Sequence, residues 1–103
     1  MPKLKTRPWD SASYLKTEED VAAYLDVMFE EGDPALIAHA LGVAARWKGM
    51  SRIAKKAGLG RESLYKSLSK DGNPSFVTVA KIVHALGFRF ALVSDKHEQS
   101  RAA

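Results

Sequence analysis

The chain has 103 residues, 46% hydrophobic and 27% charged, with a formal net charge of +4 at pH 7. That is the size and make-up of one soluble globular domain, whose single modest core leaves little room for an internal catalytic cavity. There is no cysteine, which removes disulfides, thiolate chemistry and sulfur-ligated metals together. No run approaches the ~18 apolar residues of a membrane span. The start, MPKLKTRPWD, lacks the apolar centre of a signal peptide, so a cytoplasmic location is expected.

Residues 1–16 form an N-terminal arm with four basic residues, one acidic residue and no sustained period. Pro8-Trp9-Asp10 predicts a turn, Ser11 to Leu15 one helical turn, and Trp9, Tyr14 and Leu15 the contacts that tack the arm to the body. A first helix comes next, because Val21, Tyr24, Leu25, Met28 and Phe29 recur at the i, i+3, i+4, i+7 spacing of one helical face. Thr17 can cap it, Glu18, Glu19 and Asp20 suit its positive first turn, and Gly32 ends it. Residues 17–33 hold seven acidic residues and no lysine or arginine. Asp33-Pro34 opens a second helix as cap and first residue, with Ile37, Ala40, Leu41, Ala44 and Trp47 inward and Gly49 as its stop. Ser51 is the expected cap of a short third helix carrying Ile53, Ala54 and Ala57, which ends at Gly58. A fourth short helix runs from about Arg61 to Leu68 with Leu64 and Leu68 inward. Lys70-Asp71-Gly72-Asn73-Pro74 is a dense turn, after which Ser75 caps a fifth helix with Val79, Ile82, Val83 and Leu86 inward and Gly87 at its end.

Beyond Gly87 the period changes to two. Phe88, Phe90 and Leu92 fall on one face of a short β-strand, which has no obvious partner in the chain and predicts a homodimer paired antiparallel through this strand, or pairing with a different protein. Residues 95–103 are a polar tail. The expected fold is therefore all-α, five helices in one domain over residues 17–94, with a C-terminal strand.

Residues 46–70 carry eight basic residues against one acidic, the footprint of a surface that meets phosphates. A solvated helical face is the alternative, and the order of residues inside the block shifts the balance toward phosphate binding, although an α-turn-α pair of this spacing also occurs in helical bundles with no nucleic-acid partner. Two short helices meet across Gly58-Leu59-Gly60. Ala54 is small where they cross, Gly58 can take a positive φ, and Leu59 and Leu64 plug the inside of the turn. This is the pattern of a helix-turn-helix, whose second helix lies in a DNA major groove. Its outward residues, Arg61, Glu62, Tyr65 and Lys66, are then base-reading candidates: Arg61 can bond guanine bidentately, Glu62 can accept from cytosine or orient Arg61, and Tyr65 can reach a phosphate or a thymine methyl. Ser51, Arg52, Lys55, Lys56, Ser63, Ser69, Lys70 and Asn73 are phosphate candidates that fix register, with Arg46 and Lys48 next in line. Catalysis finds no support: His39, His84 and His97 are scattered, no metal-binding spacing or nucleotide loop occurs, and no cofactor is implied. A helical module that binds acidic protein rather than DNA is the alternative from another class.

The arm Thr6-Arg7-Pro8-Trp9-Asp10 with Tyr14-Leu15-Lys16-Thr17-Glu18-Glu19-Asp20, then Glu31-Gly32-Asp33-Pro34, Arg61-Glu62-Ser63-Leu64-Tyr65-Lys66 and Gly72-Asn73-Pro74-Ser75-Phe76, resembles the probable addiction-module antidote proteins. These are a prophage-associated, HigA-like branch of the lambda-repressor-like (XRE/Cro) helix-turn-helix class. The resemblance covers about residues 3–94 and implies the antitoxin of a type II toxin–antitoxin pair. Such a protein neutralises a small toxin of the RelE/ParE superfamily, HigB-like and often an mRNA-cleaving ribonuclease, and represses the shared operon by binding operator DNA. Two positions depart from the pattern: Gly60 stands where serine commonly precedes the recognition helix, and Met50 where the wider class often has a phosphate-touching glutamine. A ribonuclease presents basic surface, so the arm and the acidic first helix, with Glu18, Glu19, Asp26 and Glu30, are candidates for toxin binding. A free-standing repressor without a toxin is the alternative within the same DNA chemistry.

Overall fold

The computed structural model describes residues 15–69 and 72–95. Five helices run in order: α1 (Glu18–Glu31), α2 (Pro34–Lys48), α3 (Met50–Ala57), α4 (Arg61–Ser67) and α5 (Phe76–Ala85). The all-helical class is as expected.

Local chemistry sets most boundaries. The Thr17 hydroxyl accepts from the Asp20 N–H, and the Asp20 carboxylate accepts in return from the Thr17 N–H, both at 3.1 Å, which satisfies two orphan donors at the start of α1. Gly32 ends the helix with φ at 78°. The Asp33 carboxylate then accepts from the Ala35 N–H at 2.9 Å, and Pro34 takes the first position of α2, where its missing N–H costs nothing. Ser75 caps α5 by accepting from the Thr78 N–H. The third helix departs from expectation. Ser51 lies exposed within the first turn of α3, and Gly49, with no side-chain bond, occupies the cap. The reason is burial: starting at Met50 aligns Met50, Ile53, Ala54 and Ala57 as one buried stripe.

α1 packs on α2, α3 on α5, and α2 also meets α3 and α5. α2 is the centre, with Ala40, Leu41, Ala44 and Ala45 fully buried. Around it Val21, Met28, Ile53, Leu64, Ile82 and Leu86 are equally closed to solvent, each side chain stabilising the fold by about 1.5–3 kcal/mol on burial. Leu15 joins this core, and its carbonyl accepts from the Trp47 indole N–H at 2.7 Å, tying the chain before α1 to the end of α2. The Lys48–Glu18 ion pair spans the same junction. Trp9 and Tyr14, the other arm contacts expected, lie outside the described residues, as do Lys70, Asp71 and the tail beyond Asp95.

The C-terminal strand is not formed. Gly87, at φ 98°, turns the chain out of α5, and the Phe88 N–H still bonds the Val83 carbonyl at 3.1 Å. Residues 88–95 then run on without regular pairing, and no strand occurs among the described residues. A strand is defined by a neighbour's ladder, and here none is at hand. Nor do Phe88, Phe90 and Leu92 share one buried face. Phe88 packs on the core, Phe90 sits between Phe29 and Phe76 at ring-centroid distances of 6.1 and 5.5 Å, and Leu92 is wholly exposed.

Candidate nucleic-acid interface

α3 is divided cleanly: its four apolar residues are buried, and Ser51, Arg52, Lys55 and Lys56 all point to solvent. It ends in a pair of bonds that fixes the direction in which the chain leaves for α4. The Gly58 N–H donates to the Lys55 carbonyl at 3.2 Å and the Leu59 N–H to the Ala54 carbonyl at 2.9 Å, a Schellman motif that needs a left-handed residue at Gly58, where φ is 72°. Leu59 folds back on the core, so the three-residue turn carries its own apolar plug.

α4 is only seven residues long and could not persist alone. Leu64, fully buried, and Leu68 nail it to the core. Their burial turns Arg61, Glu62, Ser63, Tyr65 and Lys66 outward, and all five are exposed. Arg61 is laid along the helix: its guanidinium carbon lies 5.6 Å from the Tyr65 ring centroid, and Nη2 donates to the Tyr65 hydroxyl at 3.4 Å. The four expected base-reading residues are therefore on one short exposed helix, with Arg61 already partly ordered against Tyr65.

The expected phosphate residues fall into two groups. Ser51, Arg52, Lys55 and Lys56 share the outer face of α3. Ser63, Ser69 and Asn73, with Lys66, line a groove at the far end of α4, together with Ser67 and Gly72. The Ser69 hydroxyl donates to the Lys66 carbonyl at 2.9 Å, so its proton closes the helix end, and a phosphate there would have to draw it away. Among the described residues, Arg52, Lys55, Lys56, Arg61 and Lys66 form no ion pair. Lys48 differs, being joined to Glu18. The groove depends on Gly72, which the sequence marked only as one of several turn residues. A Cβ at that position would collide with the backbone carbonyl oxygens of Lys66 and Ser67, so the turn can close against α4 only with glycine there.

Of the acidic residues expected to meet a toxin, Glu18 is engaged by Lys48, whereas Glu19, Asp26 and Glu30 are exposed along α1. Beside them an apolar groove runs between α1 and the C-terminal segment, lined by Ala22, Ala23, Phe29, Phe88 and Phe90 among others. His39 and His84 are exposed, and no cluster of metal-ligating side chains occurs among the described residues.

A family model described as "probable addiction module antidote protein" matches residues 5–94. The chain belongs to that family. The role that comes with the family is that of an addiction-module antitoxin, with a toxin as its partner. An uncharacterized protein of Haemophilus influenzae is 43% identical over 97 residues, covering 94% of this chain and 95% of the relative. No solved structure matches. Among the described residues no helix is long and apolar enough to cross a membrane.

Proposed function

We propose that this antidote is a DNA-binding antitoxin of a type II system, with α3 and α4 acting as a helix-turn-helix of the lambda-repressor-like class. It occludes its own operon by seating α4 in the major groove. Arg61 bonds a guanine edge, Glu62 accepts from cytosine or steadies Arg61, and Tyr65 and Lys66 extend the reading face by one turn. Arg52, Lys55, Lys56 and Ser51 hold one phosphate strand, and Ser63, Asn73, Lys70 and Ser69 hold the other side of the groove. The observation that carries the reading is the exposed α4 with Arg61 and Lys66 unneutralised by protein, beside the uncompensated cations of α3. A helix presented solely for solubility would have no need of a locked turn and a glycine-gated groove beside it.

The toxin is a small basic protein of the RelE/ParE superfamily, and the carboxylates Glu19, Asp26 and Glu30 meet its RNA-gripping surface. Glu18 stands at the edge of the same patch. The antitoxin works in the cytoplasm as a homodimer on an inverted repeat, with half-site centres about 34 Å apart or a multiple of that.

Co-expression with the adjacent reading frame, followed by a gel shift and footprint on the upstream DNA, tests the whole reading. The expected result is a co-purified small basic protein and a two-fold footprint. Retention of the toxin by a variant lacking residues 1–32 would remove α1 from its binding surface. DNA affinity that ignored salt would remove the helix-turn-helix, since about 6–10 phosphate contacts require a log–log slope of roughly −5 to −9.

A further inference from the structure

On the outer side of α4 two side chains lean on each other. The Arg61 guanidinium carbon lies 5.6 Å from the Tyr65 ring centroid, and Nη2 donates to the Tyr65 hydroxyl at 3.4 Å. They are one helical turn apart, where side chains on a helix are neighbours. Glu62 is next to Arg61 in sequence, where helical side chains diverge, and it forms no ion pair among the described residues. A long arginine side chain loses much freedom when it is fixed on a base, whereas tyrosine has only two side-chain torsions to settle. Tyr65 is 42% exposed, so more than half of it is covered, and its helix is pinned by the buried Leu64 and Leu68. Tyr65 is thus the better-held member of the pair.

We infer that Tyr65 is a positioning residue for Arg61. Its ring and hydroxyl hold the guanidinium in the pose that reads a guanine, so that specificity at this base pair belongs to the two residues together and not to the arginine alone. This deepens, and rests on, the DNA reading proposed above, and of the two roles open to Glu62 it leaves the cytosine contact. The hydrogen-bond inventory permits it. A guanidinium has five N–H donors, and the Tyr65 hydroxyl takes one of the two hydrogens on Nη2. The other Nη2 hydrogen still lies parallel to one on Nε or on Nη1. Whichever is used, one two-donor edge stays whole for guanine O6 and N7. The hydroxyl that accepts from Arg61 also keeps its own proton, which it can donate to a DNA acceptor one turn further along the groove.

The test is a double-mutant cycle on the full-length protein. Fluorescence anisotropy on a duplex spanning the upstream footprint, and on duplexes changed at each position in turn, first finds the base pair at which R61A loses discrimination. Y65L keeps a good helix former and apolar cover but has neither ring nor hydroxyl. It is expected to lower discrimination at that same base pair by roughly two- to fivefold per half-site, the size of an exposed cation–π contact. In the R61A background Y65L should lower it no further, because the two residues act as one unit. Y65F, which restores the ring alone, should recover part of the loss. In the free protein, the nitrogen-15 order parameter of Arg61 Nε should fall in Y65L while those of the α4 backbone hold, a change that a merely structural residue would not produce. Undiminished discrimination in Y65L, with R61A still losing it, would overturn the positioning role and spare the DNA reading. A loss at a different base pair that persists in the R61A background would make Tyr65 an independent reader and overturn it equally. Wild-type protein that shows no preference for the footprint duplex would sink the DNA reading and this inference with it.

Discussion

The α3–α4 corner and the α1–C-terminal side differ in what each leaves outside. At the corner Met50, Ile53, Leu64 and Leu68 are buried and Leu59 is half-buried, and the exposed face carries cations that form no ion pair among the described residues. On the other side the exposed residues are carboxylates on α1 and uncovered apolar groups, Val27, Phe76, Val77, Leu92 and Val93. The first surface is complete as packing and incomplete as charge, which suits a polyanion that binds and leaves with the salt concentration. The second is incomplete as packing, which suits a protein partner that removes apolar area from water and stays. On the proposed function, one chain of this size serves a nucleic acid and a protein by keeping the two kinds of incompleteness apart.

That division is broken most severely by removing the nail under α4. Leu64 is fully buried at the centre of a seven-residue helix, so Leu64→Ala is expected to lower stability by about 2–5 kcal/mol in urea unfolding. DNA binding should fall further than the loss of folded protein explains, while toxin binding through α1 tracks the folded fraction. Equal loss of both would mean that the corner is no separate device. Smaller and purely on the charge side, Arg61→Ala should cost about 1–3 kcal/mol of operator binding and relax preference at one base pair per half-site. A uniform loss on every sequence, seen by gel shift on randomised operators, would put Arg61 on phosphate. Lys55→Ala and Lys56→Ala should each flatten the salt slope by about 1 without changing the preferred sequence.

The sequence is most informative where one residue type has one mechanical use. Thr17 with Asp20, Asp33 with Pro34, Gly58 and Ser75 mark helix ends by hydrogen-bond and φ requirements that act over three or four residues, and the structure has each in that role. The periodicity of Leu64 and Leu68 likewise indicates which side of α4 is left open. Ser51 shows the limit of such reasoning: its hydroxyl could cap, but burial of Met50 one residue earlier outweighs a bond worth about 1 kcal/mol. The features hidden from the sequence depend on contacts distant along the chain. Nothing local ties Trp47 to the Leu15 carbonyl, sets Phe90 between Phe29 and Phe76, or reveals that Gly72 is squeezed against the end of α4. The expected strand fails for the same reason in reverse. Alternation describes how a segment could pair, but pairing needs a neighbour that the chain's own described residues do not supply.

The capping box is a milder probe of the acidic side. Thr17→Ala is expected to cost about 1 kcal/mol of stability by removing the acceptor for the Asp20 N–H, with operator affinity unchanged once the folded fraction is matched. Impaired DNA binding would show that α1 and the corner are mechanically linked.

The smallest effect separates the acidic residues from one another. Glu18 pairs with Lys48 at a partly exposed junction, where the two side chains are 53% and 19% accessible. Exposed pairs contribute about 0–1 kcal/mol, so Glu18→Gln should scarcely move the urea midpoint. Its carboxylate is already compensated by Lys48, whereas Asp26, exposed on the rim of the apolar groove, can meet any basic partner laid along α1. Toxin affinity measured by calorimetry should therefore fall more for Asp26→Asn than for Glu18→Gln, and the difference should shrink as salt is raised. Equal losses would mean that the toxin takes Glu18 away from Lys48, so that the junction between the start of α1 and the end of α2 opens when the partner binds.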